Sequence, residues 1–183
     1  MTLRAALLQL NSSDNPTANL NATLALLREA HAGGAQIAMT PEVTNCVSTS
    51  RTGQNAVLQD EASDQTLAAI RDLAAELGFW VLIGSLALKT NDPDGRFANR
   101  SFLIGPDGAI MARYDKIHMF DVQVSESEIY RESAAFRPGD RAVVVDTPFA
   151  RLGLSICYDL RFPMLYRALA QAGAQVLCIP AAF

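Results

Sequence analysis

The alternation of short apolar runs with amphipathic helical segments is the feature that most constrains the fold of this chain. Residues 5–10 and 35–39 are apolar runs of strand length, and residues 17–32 between them carry leucines near helical spacing. The same order recurs, with a helix predicted over residues 64–77 and a strand over residues 80–88. Glycines end both predicted helices. Strands that alternate with helices in this way predict α/β layers.

The second half of the chain predicts a mixed sheet. Residues 96–104 and 110–114 form a predicted hairpin across Gly105-Pro106-Asp107-Gly108, a strong turn sequence. Residues 43–53 are predicted as a loop, and residues 117–140 as a long polar loop of the kind that usually serves a function. The remaining predicted elements are strands over residues 142–146, 150–156 and 174–179 and a helix over residues 164–171.

Composition excludes several classes of protein. The 183 residues are 50% apolar, enough for one sizeable core, and no repeat or linker divides them, so residues 1–183 are predicted to form a single domain. The net charge is −4 and the basic residues are scattered, so nucleic acid is not an expected partner. No apolar run has membrane-spanning length, and the N-terminal run is too short for a signal peptide, so we expect a cytoplasmic protein without a membrane partner.

The chain has three cysteines, Cys46, Cys157 and Cys178, and their spacing matches neither a disulfide framework nor a zinc site. We therefore expect no metal or cofactor. At Cys157 an apolar run ends directly before a predicted helix start. Unpaired N–H groups and the positive end of a helix dipole there favour a thiolate nucleophile. The alternative is an inert buried thiol. Catalysis by a Cys–His pair is a weaker hypothesis, because His31 and His118 are the only histidines and His31 lies at a predicted helix end.

Three charged residues stand where predicted strands give way to loops. Glu42 closely follows the apolar run 37–39, where partial desolvation suits a carboxylate to proton transfer, although it could instead cap the next loop. Lys116 ends the predicted hairpin and could stabilise an oxyanion, or form a solvated pair with Asp115. Glu132 lies within the long loop and by itself is typical of surface charge.

Together, Glu42, Lys116 and Cys157 resemble the catalytic triad of the nitrilase superfamily of carbon-nitrogen hydrolases. The resemblance covers essentially the whole chain, and three long motifs in the family's order are a specific signal. It places the family's second glutamate on Glu132. The matching segments are Pro41-Glu42, Tyr114-Asp115-Lys116-Ile117-His118-Met119-Phe120-Asp121, Arg137-Pro138-Gly139-Asp140, Cys157-Tyr158-Asp159-Leu160-Arg161-Phe162-Pro163 and Pro180-Ala181-Ala182-Phe183.

This resemblance implies an α-β-β-α sandwich with mixed sheets, assembled as a homo-oligomer, and a cysteine-dependent amidase whose partners are a small-molecule amide and water. Cys157 is then the nucleophile that forms a thioester, and Glu42 moves the protons. Lys116 and the backbone N–H of Tyr158 are the expected donors to the oxyanion. Glu132 would position Lys116 or the substrate amide.

Tyr158-Asp159 stands where true nitrilases usually have Trp-Glu, so the chain is most similar to the branch of omega-amidase and deaminated-glutathione amidase, which act on amides that also carry a carboxylate. Arg161 matches an arginine that binds substrate carboxylate in carbamoylases, and a salt bridge with Asp159 is the alternative. A carbamoyl-amide or nitrile hydrolase is the second hypothesis, and a non-catalytic binding or assembly module is the third. Phe183 closely follows the apolar run 176–179, so we expect a domain that is incomplete at its C-terminus.

Overall fold

Two β-sheets pack face to face in the computed structural model, which describes residues 2–182, and helices cover their outer sides. Within these residues the helices are α1 (Pro16–Ala32), α2 (Arg51–Val57), α3 (Gln65–Leu77) and α4 (Pro163–Gln171). The strands are β1 (Ala5–Leu7), β2 (Ile37–Met39), β3 (Trp80–Leu88), β4 (Phe97–Ile104), β5 (Ile110–Asp115), β6 (Asp121–Gln123), β7 (Ile129–Arg131), β8 (Phe136–Arg137), β9 (Val143–Asp146), β10 (Arg151–Leu154) and β11 (Val176–Cys178).

The larger sheet is mixed, as predicted. Its strand order is β1-β2-β3-β4-β5, with β8 paired to the start of β4. Strands β1, β2 and β3 are parallel, whereas β3-β4 and β4-β5 are antiparallel pairs. The smaller sheet has the order β11-β10-β9, with one parallel and one antiparallel pair. The carboxyl ends of β2, β3 and β5 therefore meet at one edge of the larger sheet.

The two-residue period of β3 separates two layers of the core. Val81 and Ile83 face α1 and α3, and Leu82 faces the smaller sheet. Ile70 of α3 and Phe102 of β4 are completely buried in the helix-side layer. Full burial of such a side chain contributes about 1.5–3 kcal/mol. Helix α4 packs on the far side of the smaller sheet, which completes the predicted α-β-β-α order of layers.

Helix starts follow the capping residues in the sequence. Asn15 Oδ1 accepts a 3.1 Å hydrogen bond from the N–H of Ala18 at the start of α1. Asp64 Oδ1 accepts a 2.8 Å bond from the N–H of Leu67 at the start of α3. These side chains satisfy N–H groups that have no partner within the helix. The helix predicted over residues 64–77 and the strand predicted over residues 80–88 are confirmed.

Two predicted loops contain regular structure, so these predictions were wrong in part. Residues 51–57 form α2, which Ser50 caps by accepting a 3.0 Å bond from the Gly53 N–H. The segment 117–140 contains the hairpin of β6 and β7, a 3-10 turn and β8. Because β6 and β7 are mostly exposed, their sequence lacks the apolar alternation that marks a half-buried strand.

Candidate active site

Glu42 lies in the segment that leaves β2, and close backbone contact holds this segment against β3. A Cβ atom at Gly84 would overlap the carbonyl oxygens of Thr40 and Pro41, so only glycine permits the approach. The Ser85 N–H then donates a 3.2 Å hydrogen bond to the carbonyl of Pro41. Glu42 is 6% exposed, so its carboxylate is nearly enclosed by protein.

Lys116 directly follows β5 and is 2% exposed. Its ammonium lies 2.8 Å from Glu42 Oε1 and 2.9 Å from both carboxylate oxygens of Glu132. Burial opposes the charge of this ammonium, but attraction to Glu42 and Glu132 is greater in sum and raises the pKa of Lys116. Lys116 does not form the alternative solvated pair with Asp115. The Asp115 carboxylate instead binds the guanidinium of Arg100.

Two contacts around Lys116 come from the long segment after β5. Glu132 Oε2 accepts a 2.6 Å bond from the Phe120 N–H in addition to its contact with the ammonium. The Gly139 N–H donates a 2.7 Å bond to the Lys116 carbonyl, and a Cβ at Gly139 would overlap the carbonyl oxygen of Asp115. The segment therefore wraps the lysine and brings Glu132 to it. The contacts of Glu132 are those of a buried ion pair, not of solvated surface charge.

Cys157 begins a 3-10 turn (Cys157–Arg161) that follows β10, and its N–H donates a 2.8 Å bond to the carbonyl of Pro180. Its φ of 48° lies in the left-handed region, as does the φ of 45° at Val43, the residue after Glu42. Such backbone costs about 1–3 kcal/mol per residue and clusters at functional sites. The predicted nucleophile is therefore itself strained, and a second strained residue directly follows the predicted base.

The prediction that a helix start stabilises a Cys157 thiolate was wrong. Burial raises the pKa of the thiol to about 12, and the negative charge of Glu42 adds to this effect, while Lys116 opposes it. The turn at Cys157 is a short 3-10 segment, and α4 begins only at Pro163. The resting cysteine is consequently a neutral thiol that needs a base.

Asp159 is the buried centre of a hydrogen-bond network that sequence reasoning missed. It is completely buried and accepts bonds from the Tyr114 hydroxyl (2.6 Å), the His118 N–H (2.9 Å) and the Ile156 N–H (2.9 Å). Its Oδ1 is also 2.7 Å from His118 Nδ1, and the His118 ring stacks on Phe162 at 3.6 Å. The network joins the segment of Lys116 to the turn of Cys157. An acidic residue within the cysteine motif was its only signal.

The remaining predicted site residues lie on the same turn as Cys157. Arg161 is exposed at the end of the turn, and no salt bridge joins it to Asp159 among residues 2–182. The first hydrogen bond within the turn runs from the Asp159 N–H to the Ile156 carbonyl (3.1 Å). The N–H of Tyr158 comes one residue earlier, so it has no partner within the turn. The Tyr158 ring packs 5.0 Å from that of Phe120.

In the described part of the chain, no three metal-ligating side chains cluster together. Residue Phe183 of the last matching segment lies outside the described residues. No helix within residues 2–182 has both the length and the apolar character needed to cross a bilayer.

The sequence model of the carbon-nitrogen hydrolase family matches residues 4–182, and the chain belongs to this family. Deaminated glutathione amidase of Yersinia enterocolitica is 37% identical over 180 residues, which are 97% of this chain and 62% of that protein. Omega-amidase NIT2 of Bos taurus is 36% identical over 182 residues, which are 100% of this chain and 64% of that protein. The chain thus spans somewhat less than two thirds of these relatives.

Solved structures carry the same fold. The NitFhit protein of C. elegans superimposes with a TM-score of 0.90 and 30% identity, covering 100% of this chain and 45% of that chain. The NitN amidase from Nesterenkonia sp. AN1 gives a TM-score of 0.82 and 26% identity, covering 100% of this chain and 68% of that chain. A variant of that amidase carries the product of Michael addition of acrylamide at its active-site cysteine.

Proposed function

We propose that this chain carries the catalytic residues of an amidase that hydrolyses the terminal amide of a small, carboxylate-bearing molecule. The observation that supports this most is the Lys116 ammonium, held between Glu42 and Glu132 beside the thiol of Cys157. The triad then combines a nucleophile, a proton acceptor and a fixed positive charge in one enclosed place. These are the three groups that acyl transfer requires.

In the first step, the Cys157 sulfur attacks the amide carbonyl while its proton passes to Glu42. A carbon–sulfur bond forms, and the carbonyl electron pair moves to the oxygen. The Lys116 ammonium and the backbone N–H of Tyr158 are the proposed donors to this oxyanion. Loss of one such donor typically lowers the rate by about 10²- to 10³-fold.

In the second step, the oxyanion collapses and the carbon–nitrogen bond breaks. The departing nitrogen takes the proton held by Glu42 and leaves as ammonia, so a thioester remains on Cys157. Water then attacks the thioester while Glu42 accepts its proton, and Glu42 returns this proton to the sulfur as the carbon–sulfur bond breaks and the carboxylic acid leaves. One residue therefore acts first as base and then as acid in each half of the reaction.

The neutral state of the thiol fits this sequence of proton transfers. With the pKa of Cys157 raised to about 12, a preformed thiolate is scarce at neutral pH. Proton transfer to Glu42 must then accompany the attack on the carbonyl. Because Lys116 is also ion-paired to Glu132 at 2.9 Å, its positive charge persists when Glu42 is protonated and can serve the oxyanion.

The proposed substrate class rests on Arg161 and on the relatives. Arg161 is exposed on the turn that starts with Cys157, where a guanidinium can bind a carboxylate by two parallel hydrogen bonds. The similar proteins are named deaminated glutathione amidase and omega-amidase. We further propose that residues 1–183 belong to a single domain, since both sheets share a core. Homo-oligomeric assembly and a cytoplasmic location stay predictions.

An ammonia-release screen tests the proposal and separates its alternatives. Small amides with and without a carboxylate, ureido acids and nitriles are offered to the protein, and intact-mass spectra are recorded during turnover. We expect ammonia from carboxylate-bearing amides and a transient acyl adduct on Cys157. Preference for ureido acids or nitriles would favour those hydrolases instead. A folded protein that is inert to all of them, or full activity in Cys157→Ala, would reject the amidase.

A further inference from the structure

Asn99, an interior residue of β4, contacts two members of the proposed triad. It is 2% exposed and pairs with Ala87 of β3. Its Nδ2 donates a 2.9 Å hydrogen bond to Glu42 Oε1, and its backbone carbonyl accepts a 2.9 Å bond from the Lys116 N–H. Asn99 lies outside the motif segments that match the family.

The two oxygens of the Glu42 carboxylate have unequal surroundings. Oε1 accepts from Lys116 Nζ at 2.8 Å and from Asn99 Nδ2 at 2.9 Å, so both of its in-plane lone pairs are engaged. Oε2 accepts from the Ala182 N–H at 3.1 Å. Among residues 2–182, this single donor to Oε2 leaves it with a lone pair open. Oε2 is therefore the oxygen that can receive a proton.

The N–H group that donates to Oε2 also influences the thiol of Cys157. The Ala182 N–H that donates to Oε2 also acts on Cys157, where it lowers the pKa of the thiol against the larger opposing effects of burial and Glu42. One N–H group thus faces both the open oxygen and the sulfur. This shared N–H favours Oε2 as the oxygen that takes the proton of the thiol.

The Asn99 amide keeps its orientation at a cost. Its Oδ1 is buried and has no hydrogen-bond partner among the described residues, which is unfavourable for a polar atom. A flipped amide would point this oxygen at the Glu42 carboxylate, which repels it. The NH₂ group is consequently directed at Oε1, and the site retains an unpaired acceptor to keep that contact.

We propose that Asn99 is a positioning residue that, with Lys116, engages Glu42 Oε1 and leaves Oε2 as the proton acceptor for Cys157. The assignment rests on the proposed function, because it gives Glu42 the role of base. Without the Asn99 amide, the carboxylate can rotate about its last torsion and lose its alignment with the sulfur. Misplacement of a catalytic group by about 1 Å can lower a rate about 10²-fold.

Alkylation of Cys157 by iodoacetamide measures this alignment without an amide substrate. The sulfur forms a bond to the reagent carbon, iodide leaves, and the thiol proton passes to Glu42. Peptide mass spectrometry separates Cys157 from the buried Cys46 and Cys178. We expect Asn99→Ala to slow alkylation at neutral pH by about 10- to 100-fold. In the Glu42→Gln background, the same substitution should change the rate by less than about twofold, because it acts through Glu42.

Asn19→Ala is the matched control, since Asn19 is a buried amide that bonds Ser13 and Asn45 and should leave the alkylation rate unchanged. In amide hydrolysis, Asn99→Ala should lower kcat with little effect on KM, because the amide acts on the base and not on substrate binding. Circular dichroism checks whether each variant folds. If Asn99→Ala does not fold, Asn99→Ser is used in its place.

An alkylation rate in folded Asn99→Ala equal to that of the parent, or an equal loss in the Glu42→Gln background, would overturn the assignment. Failure of both Asn99 variants to fold would also overturn it, because the amide would then serve stability. A parent protein that alkylates through Glu42 but releases no ammonia from any amide contradicts the proposed function and leaves the role of Asn99 intact.

Discussion

The Tyr114 hydroxyl donates a 2.6 Å hydrogen bond to Asp159 Oδ2, and both side chains are buried. Tyr114 lies two residues before Lys116 at the end of β5, and Asp159 lies two residues after Cys157. The bond therefore spans the interface between the two sheets and joins the strand that carries the cation to the turn that carries the thiol. Burial raises the pKa of Tyr114, and the nearby Asp159 carboxylate adds to the effect, so the hydroxyl stays a donor.

Tyr114→Phe tests how much this bond stabilises the fold. Loss of a donor to a buried carboxylate should lower the free energy of unfolding by about 1.5–3 kcal/mol, as measured by urea denaturation. The control is Tyr130→Phe, which removes an exposed hydroxyl bonded to Glu128 and should change stability by less than about 0.5 kcal/mol. Equal effects of the two substitutions would show that the buried bond is not special.

Glu42→Gln should lower kcat by about 10²- to 10⁴-fold with little change in KM, because the amide cannot accept the thiol proton. Stopped assays of ammonia release measure this change. Glu29→Gln alters an exposed glutamate of α1 and should leave turnover as it is. Unchanged turnover in Glu42→Gln would remove this residue from the mechanism.

Lys116→Met leaves the Glu42 and Glu132 carboxylates facing each other without their shared cation. Removing one partner of a buried ion pair costs about 3–5 kcal/mol, so the variant should unfold at a clearly lower urea concentration. Lys89→Met changes an exposed lysine and should have little effect. If the two variants were equally stable, the ion pairs of Lys116 would contribute nothing to the fold.

Arg161→Met should raise KM for amides that carry a carboxylate by about 10- to 100-fold and leave neutral amides almost unaffected, since a charge-assisted hydrogen bond is lost. Steady-state kinetics on a matched pair of substrates gives the ratio. Arg167→Met, an exposed arginine of α4, serves as control. A parallel change for both substrates would assign Arg161 to the shape of the turn.

Stability should fall at alkaline pH because of the buried thiol at the end of β11. Burial raises the pKa of Cys178 to about 12 from an ordinary value of 9.0. Above pH 9 the unfolded chain therefore loses this proton while the folded chain keeps it, and stability that is complete below pH 9 declines toward pH 12. The contribution of this thiol falls by up to about 1.4 kcal/mol per pH unit.

Urea denaturation between pH 8 and pH 10, with a reductant present, measures this decline, and Cys178→Ala should show a shallower one. An identical pH dependence in both proteins would contradict the assignment to Cys178.

Much of the fold follows from local pattern. The strand over residues 80–88 and the helix over residues 64–77 were predictable because apolar periodicity and capping residues act within a few positions of each other. The hairpin of β6 and β7 was not, because it is exposed and carries no apolar alternation. Helix α2 was missed for a similar reason, since it is short and buries little.

The sequence alone determined the α/β class and the residue types of the site, because hydrophobic period, turn residues and motif order are local properties of the chain. The resemblance to the family implied the order of layers. Only the tertiary structure decided which charges meet. The β6–β7 hairpin separates Glu132 from Lys116 in sequence, and Asn99 contacts Glu42 from a different strand. Cys157 is protonated because burial and the negative charge of Glu42 raise the pKa of its thiol. Coulomb energy and desolvation depend on distances through space, which spacing along the chain does not specify.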